Sequence, residues 1–150
     1  MKIFRFIISI LAILFLIVIY STTITIIKNE DFIGSFYSVN ISSDIRMEIC
    51  GTTTGFIDQK KDEVILTDVD SMAVVDNAIY GFSNNKYFLL SLLTKRMVYS
   101  PAPLLQYSTY SLISPMEYYK RKTRYVDIIG LIVLFAGIIF TIKKGLLKDS

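Results

Sequence analysis

Three carboxylates stand close together in "DVDSMAVVD": Asp68, Asp70 and Asp76. Carboxylates at such spacing do one of two kinds of chemistry: they hold a hard cation, or one of a pair passes a proton while the other orients water. The calcium-loop reading fails on its own pattern. Met72 and Ala73 occupy the positions of the third ligand and the glycine, and no glutamate closes the loop. What remains is Asp68 and Asp70 as the one local pair for a carboxylate-based hydrolase, weighed against aspartates at a strand end facing water. "GTTTG", Gly51 to Gly55, spaces its glycines but lacks the G-K-[ST] of a phosphate loop, and reads as a connection between strands. Cys50 is the only cysteine, and with no histidine in the chain nothing of that kind can activate it. The same absence excludes a histidine-dependent triad and an H-E-x-x-H zinc site, while a single thiol excludes a C-x-x-C pair and an intrachain disulfide. No metal or cofactor is expected, and no enzyme.

The elements that would position these groups are set by hydropathy. Of the 150 residues, 53% are hydrophobic, and the excess lies at the two ends. Residues 6–27 carry no charge and are long enough to cross ~30 Å of hydrocarbon as a helix. Residues 125–142 supply about 27 Å of helix, interrupted only by Asp127 near one end. The first run also resembles a signal peptide with Lys2 and Arg5 as its charged start, but no A-x-A-like site follows it, so an uncleaved anchor is expected. The fold class expected is therefore membrane α + β: two transmembrane helices flanking a small antiparallel β-rich domain. Its segments are a tail at 1–5, a span at 6–27, a β-rich domain with a Pro/Tyr-rich return segment at 28–113, a basic juxtamembrane helix at 114–124, a span at 125–142 and a basic tail at 143–150.

Within the domain, Ile45, Met47 and Ile49 alternate with Arg46 and Glu48, the pattern of a half-buried strand. Later apolar runs are separated by Asp76-Asn77, by Ser83-Asn84-Asn85 and by Thr94-Lys95, which implies an antiparallel meander. That strand–turn–strand cadence resembles a hairpin of a β-propeller blade, yet it occurs once and without a period, which excludes a propeller.

Ser114 followed by Pro115 and Glu117 has capping-box spacing, so a helix is expected to start there and run unbroken into the second span. Tyr118, Tyr119 and Tyr125 are then expected in the interfacial aromatic belt, with Lys120, Arg121, Lys122 and Arg124 as a collar at the level of anionic headgroups. Gly130 and Gly137 share a helix face, and Ser9 and Ala12 form a small patch on the first span. Small residues of this kind let helices pack closely in lipid, either span against span or between copies of the chain.

Basic residues flank both sides of the spans almost equally, with Lys2, Arg5, Lys143, Lys144 and Lys148 on the tails and Lys28 with the collar on the loop. Charge bias governs loops of about 60 residues or fewer, and this loop is longer, whereas the short basic N-terminal tail is held inside. Both termini are therefore expected in the cytoplasm. A composition rich in Ile, Lys, Asn and Tyr points to an AT-rich gene and a bacterial inner membrane. From Asn29 to Tyr119 there are six basic and eleven acidic residues, a net of −5, beside a collar of +4. The expected role is non-catalytic binding of a protein partner, as an accessory, regulatory or immunity-type protein, with no nucleic acid. A sensor for a small envelope ligand is the alternative, ahead of the hydrolase.

Overall fold

A computed structural model describes residues 2–31 and 34–146. Two long helices, α1 (Lys2–Ile27) and α2 (Pro115–Leu146), enclose eight strands in sequence order. Strands β1 (Phe36–Asn40), β2 (Ile45–Cys50), β3 (Thr53–Asp58) and β4 (Glu63–Leu66) form one antiparallel sheet. A second contains β5 (Val69–Val75), β6 (Ala78–Ser83), β7 (Lys86–Ser91) and β8 (Met97–Ser100). The expected meander is thus two meanders, each of four strands in chain order. The chain divides into two compact units, residues 29–122 and residues 1–28 with 123–150.

The β unit has one core. The alternation on β2 buries Ile45, Met47 and Ile49, and these meet Phe56, Leu66, Val69, Met72, Ile79, Phe88 and Leu90 from both sheets. Phe56 and Phe88, both fully buried, meet edge to face with centroids 6.0 Å apart. The Phe88 ring lies over Gly81, its register partner, where an added Cβ would stand 2.6 Å from the ring and 2.4 Å from the Ser71 carbonyl. Only glycine leaves room there. The β6–β7 hairpin closes on Asn84 and Asn85, both with positive φ, the paired geometry that matches strand twist in a two-residue turn.

The opposite face of β6 and β7 carries Tyr80 and Tyr87, stacked 5.9 Å apart. The stretch after Ser100 covers them: its single 3₁₀ turn, Leu105–Tyr107, lays Tyr107 on Tyr80 at 5.3 Å. Burial pushes the Tyr80 phenol above its ordinary range. The Pro/Tyr-rich return segment therefore roofs the outer side of the second sheet.

An ionic clasp joins the sheets at one end. Asp58, on the last position of β3, accepts a 2.6 Å hydrogen bond from Lys95 in the β7–β8 turn, and Asp44 accepts one of 2.9 Å from Lys60. The Lys95 ammonium holds the Asp58 carboxyl below its ordinary value, against the opposing pull of burial, and Lys60 does the same for Asp44. A depressed carboxylate contributes stability that is complete above the unfolded-state value of about 3.9 and is lost as pH falls through the lower folded value. The urea midpoint of the β unit should accordingly hold from pH 7 to about pH 5 and drop below about pH 4. Asp58→Asn should lower the midpoint at neutral pH and flatten that acid limb; an unchanged limb would mean that the clasp is not what titrates.

In the helical unit, α1 and α2 pair antiparallel. Gly130 lies so close to Ile24 and Tyr20 that a Cβ would come within 2.5 Å and 2.8 Å of them, and Gly137 faces Leu16. Ser9 is buried and Ala12 half-buried on α1. At the end of α1, Lys28 donates to both oxygens of Asp127, at 3.1 and 3.4 Å. The carboxylate that interrupts the second apolar run is therefore paired, as a charge beside an apolar stretch must be.

Tyr119 departs from the expected interfacial position. Its ring is 1% exposed and belongs to the core of the β unit, edge to face with Tyr37 at 5.2 Å, while its hydroxyl donates to Glu30 at 2.8 Å. The first turn of α2 packs on the sheets, and of the three tyrosines the one turned inward there is a core residue.

Candidate functional site

The expected helix start is present. Ser114 Oγ accepts the Glu117 backbone N–H at 3.2 Å, and Pro115 opens the helix. The Glu117 carboxylate turns forward instead, to Arg121 one turn on at 2.5 Å. Beyond it, Lys120, Arg121, Lys122 and Arg124 are all exposed, and Tyr125 is 65% exposed. Tyr118 is half-buried against the core. The basic run is thus split around the helix, and two of its four cations face something specific.

That feature is a cavity of about 520 Å³ in the β unit, lined on its helical side by Tyr118, Arg121 and Lys122. Its opposite wall is the end of β5, Ala73 to Val75. Tyr110 and Ser111 add hydroxyls, and Ile113 closes the floor. Ile113 makes a two-way backbone bridge with Met72, the N–H groups donating at 2.8 and 3.0 Å. Backbone groups on an antiparallel strand alternate sides, so the peptide groups of Val74 point to that same free edge, into the cavity. Between the bridge and the Asp76-Asn77 turn there is room for this one position and no more. The cavity is therefore lined by two cations, the N–H and C=O of one edge residue and three hydroxyl-bearing side chains beside apolar ones, and its net positive charge answers an anion.

The acidic residues singled out for chemistry are not assembled. Asp68 precedes β5, Asp70 lies on it and Asp76 sits in the following turn, and all three are exposed to solvent. Among the described residues there is no group of three or more metal-ligating side chains. Gly51 and Thr52 form the β2–β3 turn, while Thr53 to Gly55 belong to β3. Cys50 is exposed at the end of β2. The two basic tails fall largely outside the described side chains: of Lys2, Arg5, Lys143, Lys144 and Lys148, only Lys143 lies within them. A second cavity, about 410 Å³, runs between α1 and α2, with walls of Leu16, Ile24, Ile129 and Val133 that give it almost no polar surface.

Comparison with protein-family models, with curated proteins and with solved structures gives no match. The class defined by fold and site is an α + β protein with two helices long and apolar enough to cross a membrane, at mean hydropathies of 2.6 and 2.5. Its function rests on its own geometry.

Proposed function

We propose that the chain is a two-span protein of the bacterial inner membrane that presents its β unit outside the cytoplasm to bind a protein partner without catalysis. The spanning part is carried by one observation: the faces that α1 and α2 turn away from each other are apolar and open, with Phe15 at 64%, Val18 at 62%, Ile132 at 64% and Phe135 at 61% exposure. Lipid covers such a surface. Orientation follows from charge and loop length, since a short basic tail stays inside and a loop beyond about 60 residues crosses regardless of its charge.

Support for a protein partner comes from β8. It is an edge strand of only four residues, and Val98 and Tyr99 on it are 57% and 49% exposed. An open, apolar edge is the surface to which another chain adds a strand. The pocket beside Arg121 favours a second reading, a small charged ligand, and the two sites are compatible.

Two measurements test the reading. Because Cys50 is exposed, a membrane-impermeant maleimide should label it in spheroplasts, whereas Ser150→Cys in a Cys50→Ser background should react only after lysis. The reverse pattern would put the β unit in the cytoplasm. A partner held by the β8 edge should co-purify in mild detergent and be released by Val98→Lys, which leaves thermal unfolding unchanged. Retention of the same partner by that variant would remove β8 from the site.

A further inference from the structure

We infer that the cavity between the end of β5 and the helix α2 is a site for a single phosphoester group, and that Arg121 and Lys122 hold it while Lys120 and Arg124 do not. This deepens the membrane reading and rests on it only for the source of the phosphate, which is taken to be the headgroup of an anionic phospholipid. The distinction matters because a diffuse collar and a built pocket make opposite predictions for cations of equal charge.

Three features support a phosphoester. Arg121 and Lys122 both line the cavity, with the N–H and C=O of Val74 on the free β5 edge opposite and Tyr110, Ser111 and Tyr118 completing the lining. Guanidinium and ammonium with neutral N–H and O–H donors are the groups that recognise a phosphate with several acceptor oxygens. The edge offers only Val74, too short a stretch for strand addition by a peptide, which favours a compact ligand. Ala73, Val75 and Ile113 supply carbon beside the donors, as a glycerol backbone and its first methylenes require.

Glu117 gives the inference a sign. Its pairing with Arg121 competes with any anion for that guanidinium. Removing the carboxylate charge must therefore tighten anion binding, whereas a purely structural pair would lose order.

The test uses the full chain in a neutral detergent, with dihexanoyl phosphatidylglycerol titrated in and bound lipid counted by native mass spectrometry. One saturable phosphatidylglycerol per chain is expected, with phosphatidylcholine of the same chain length binding less well. R121Q/K122Q should weaken binding about ten-fold or more, the loss of charge-assisted hydrogen bonds. The charge-matched K120Q/R124Q should change it by less than about two-fold, since exposed charges outside the pocket are screened. Glu117→Gln should tighten it about two- to five-fold, the scale of an exposed ion pair. Equal losses from the two double variants, equal binding of the two lipids, or looser binding to Glu117→Gln would each overturn the assignment. Competition by sn-glycerol 3-phosphate decides the source: displacement of the lipid keeps the phosphoester site and assigns it to a soluble ligand, while no displacement assigns it to lipid. Failure of the membrane reading would appear separately, in the maleimide pattern.

Discussion

Tyr119→Ala should destabilise the β unit by about 3–5 kcal/mol, the cost of deleting a buried aromatic ring. The ring is the largest fully buried side chain in the unit, and it comes from the helix rather than from either sheet. With domain stabilities of about 5–15 kcal/mol, such a loss leaves a substantial unfolded fraction. Tyr119→Phe separates the two parts of the effect. It keeps the edge-to-face contact with Tyr37 and gives up the hydrogen bond to Glu30, for about 1.5–3 kcal/mol, the range for a bond to a charged group. Urea unfolding followed through the near-ultraviolet tyrosine signal reads both. A change below about 1 kcal/mol in the alanine variant would mean that the first turn of α2 is not part of the core.

The second large effect is at Phe56. Each sheet is a local meander, built from strands adjacent in sequence, so what holds the two together, besides the Lys95–Asp58 clasp, is their facing apolar side chains. Phe56 on the first sheet and Phe88 on the second are in ring contact at that interface, both without exposure. Phe56→Ala should cost about 3–5 kcal/mol. Combined with Phe88→Ala, it should cost less than the sum by about 0.5–1.5 kcal/mol, the coupling of an aromatic pair beyond its buried area. Strictly additive losses would show that the rings do not act on each other and that the sheets are joined elsewhere.

Those residues also mark where local pattern stops being informative. Period-two alternation at Ile45, Met47 and Ile49 identified a strand and its buried face, because side-chain direction in a strand depends on nothing farther than the next residue. The Asn84-Asn85 turn, the Ser114 cap and the two apolar helices are local in the same way. Tyr119 is not. Between Tyr118 and Lys120 it reads as an interfacial tyrosine, and its burial is decided by Glu30 and Tyr37, more than 80 positions earlier. Asp127 looked like a tolerated interruption until Lys28, 99 positions away, appeared as its partner. The four collar cations were equivalent in sequence. Their division into two that line a cavity and two that do not depends on the free edge of β5, which only the Met72–Ile113 bridge defines. Splitting one expected meander into two sheets has the same origin, since nothing in the stretch between β4 and β5 announces that pairing stops there.

The pairing of α1 with α2 also acts on chain entropy. Lys28 and Asp127, in contact at 3.1 Å, bracket the whole β unit, so the hairpin ties together the two ends of a loop of about 100 residues. A covalent cross-link closing a loop of that length removes about 4.7 kcal/mol worth of disorder from the unfolded chain in the entropy model. One cysteine cannot supply such a link. Two paired helices that stay anchored when the sheets open would supply it without sulfur, and the tether would be independent of redox conditions. Cut from its helices, the same β sequence would keep every contact within its sheets and still have a larger unfolded ensemble to overcome.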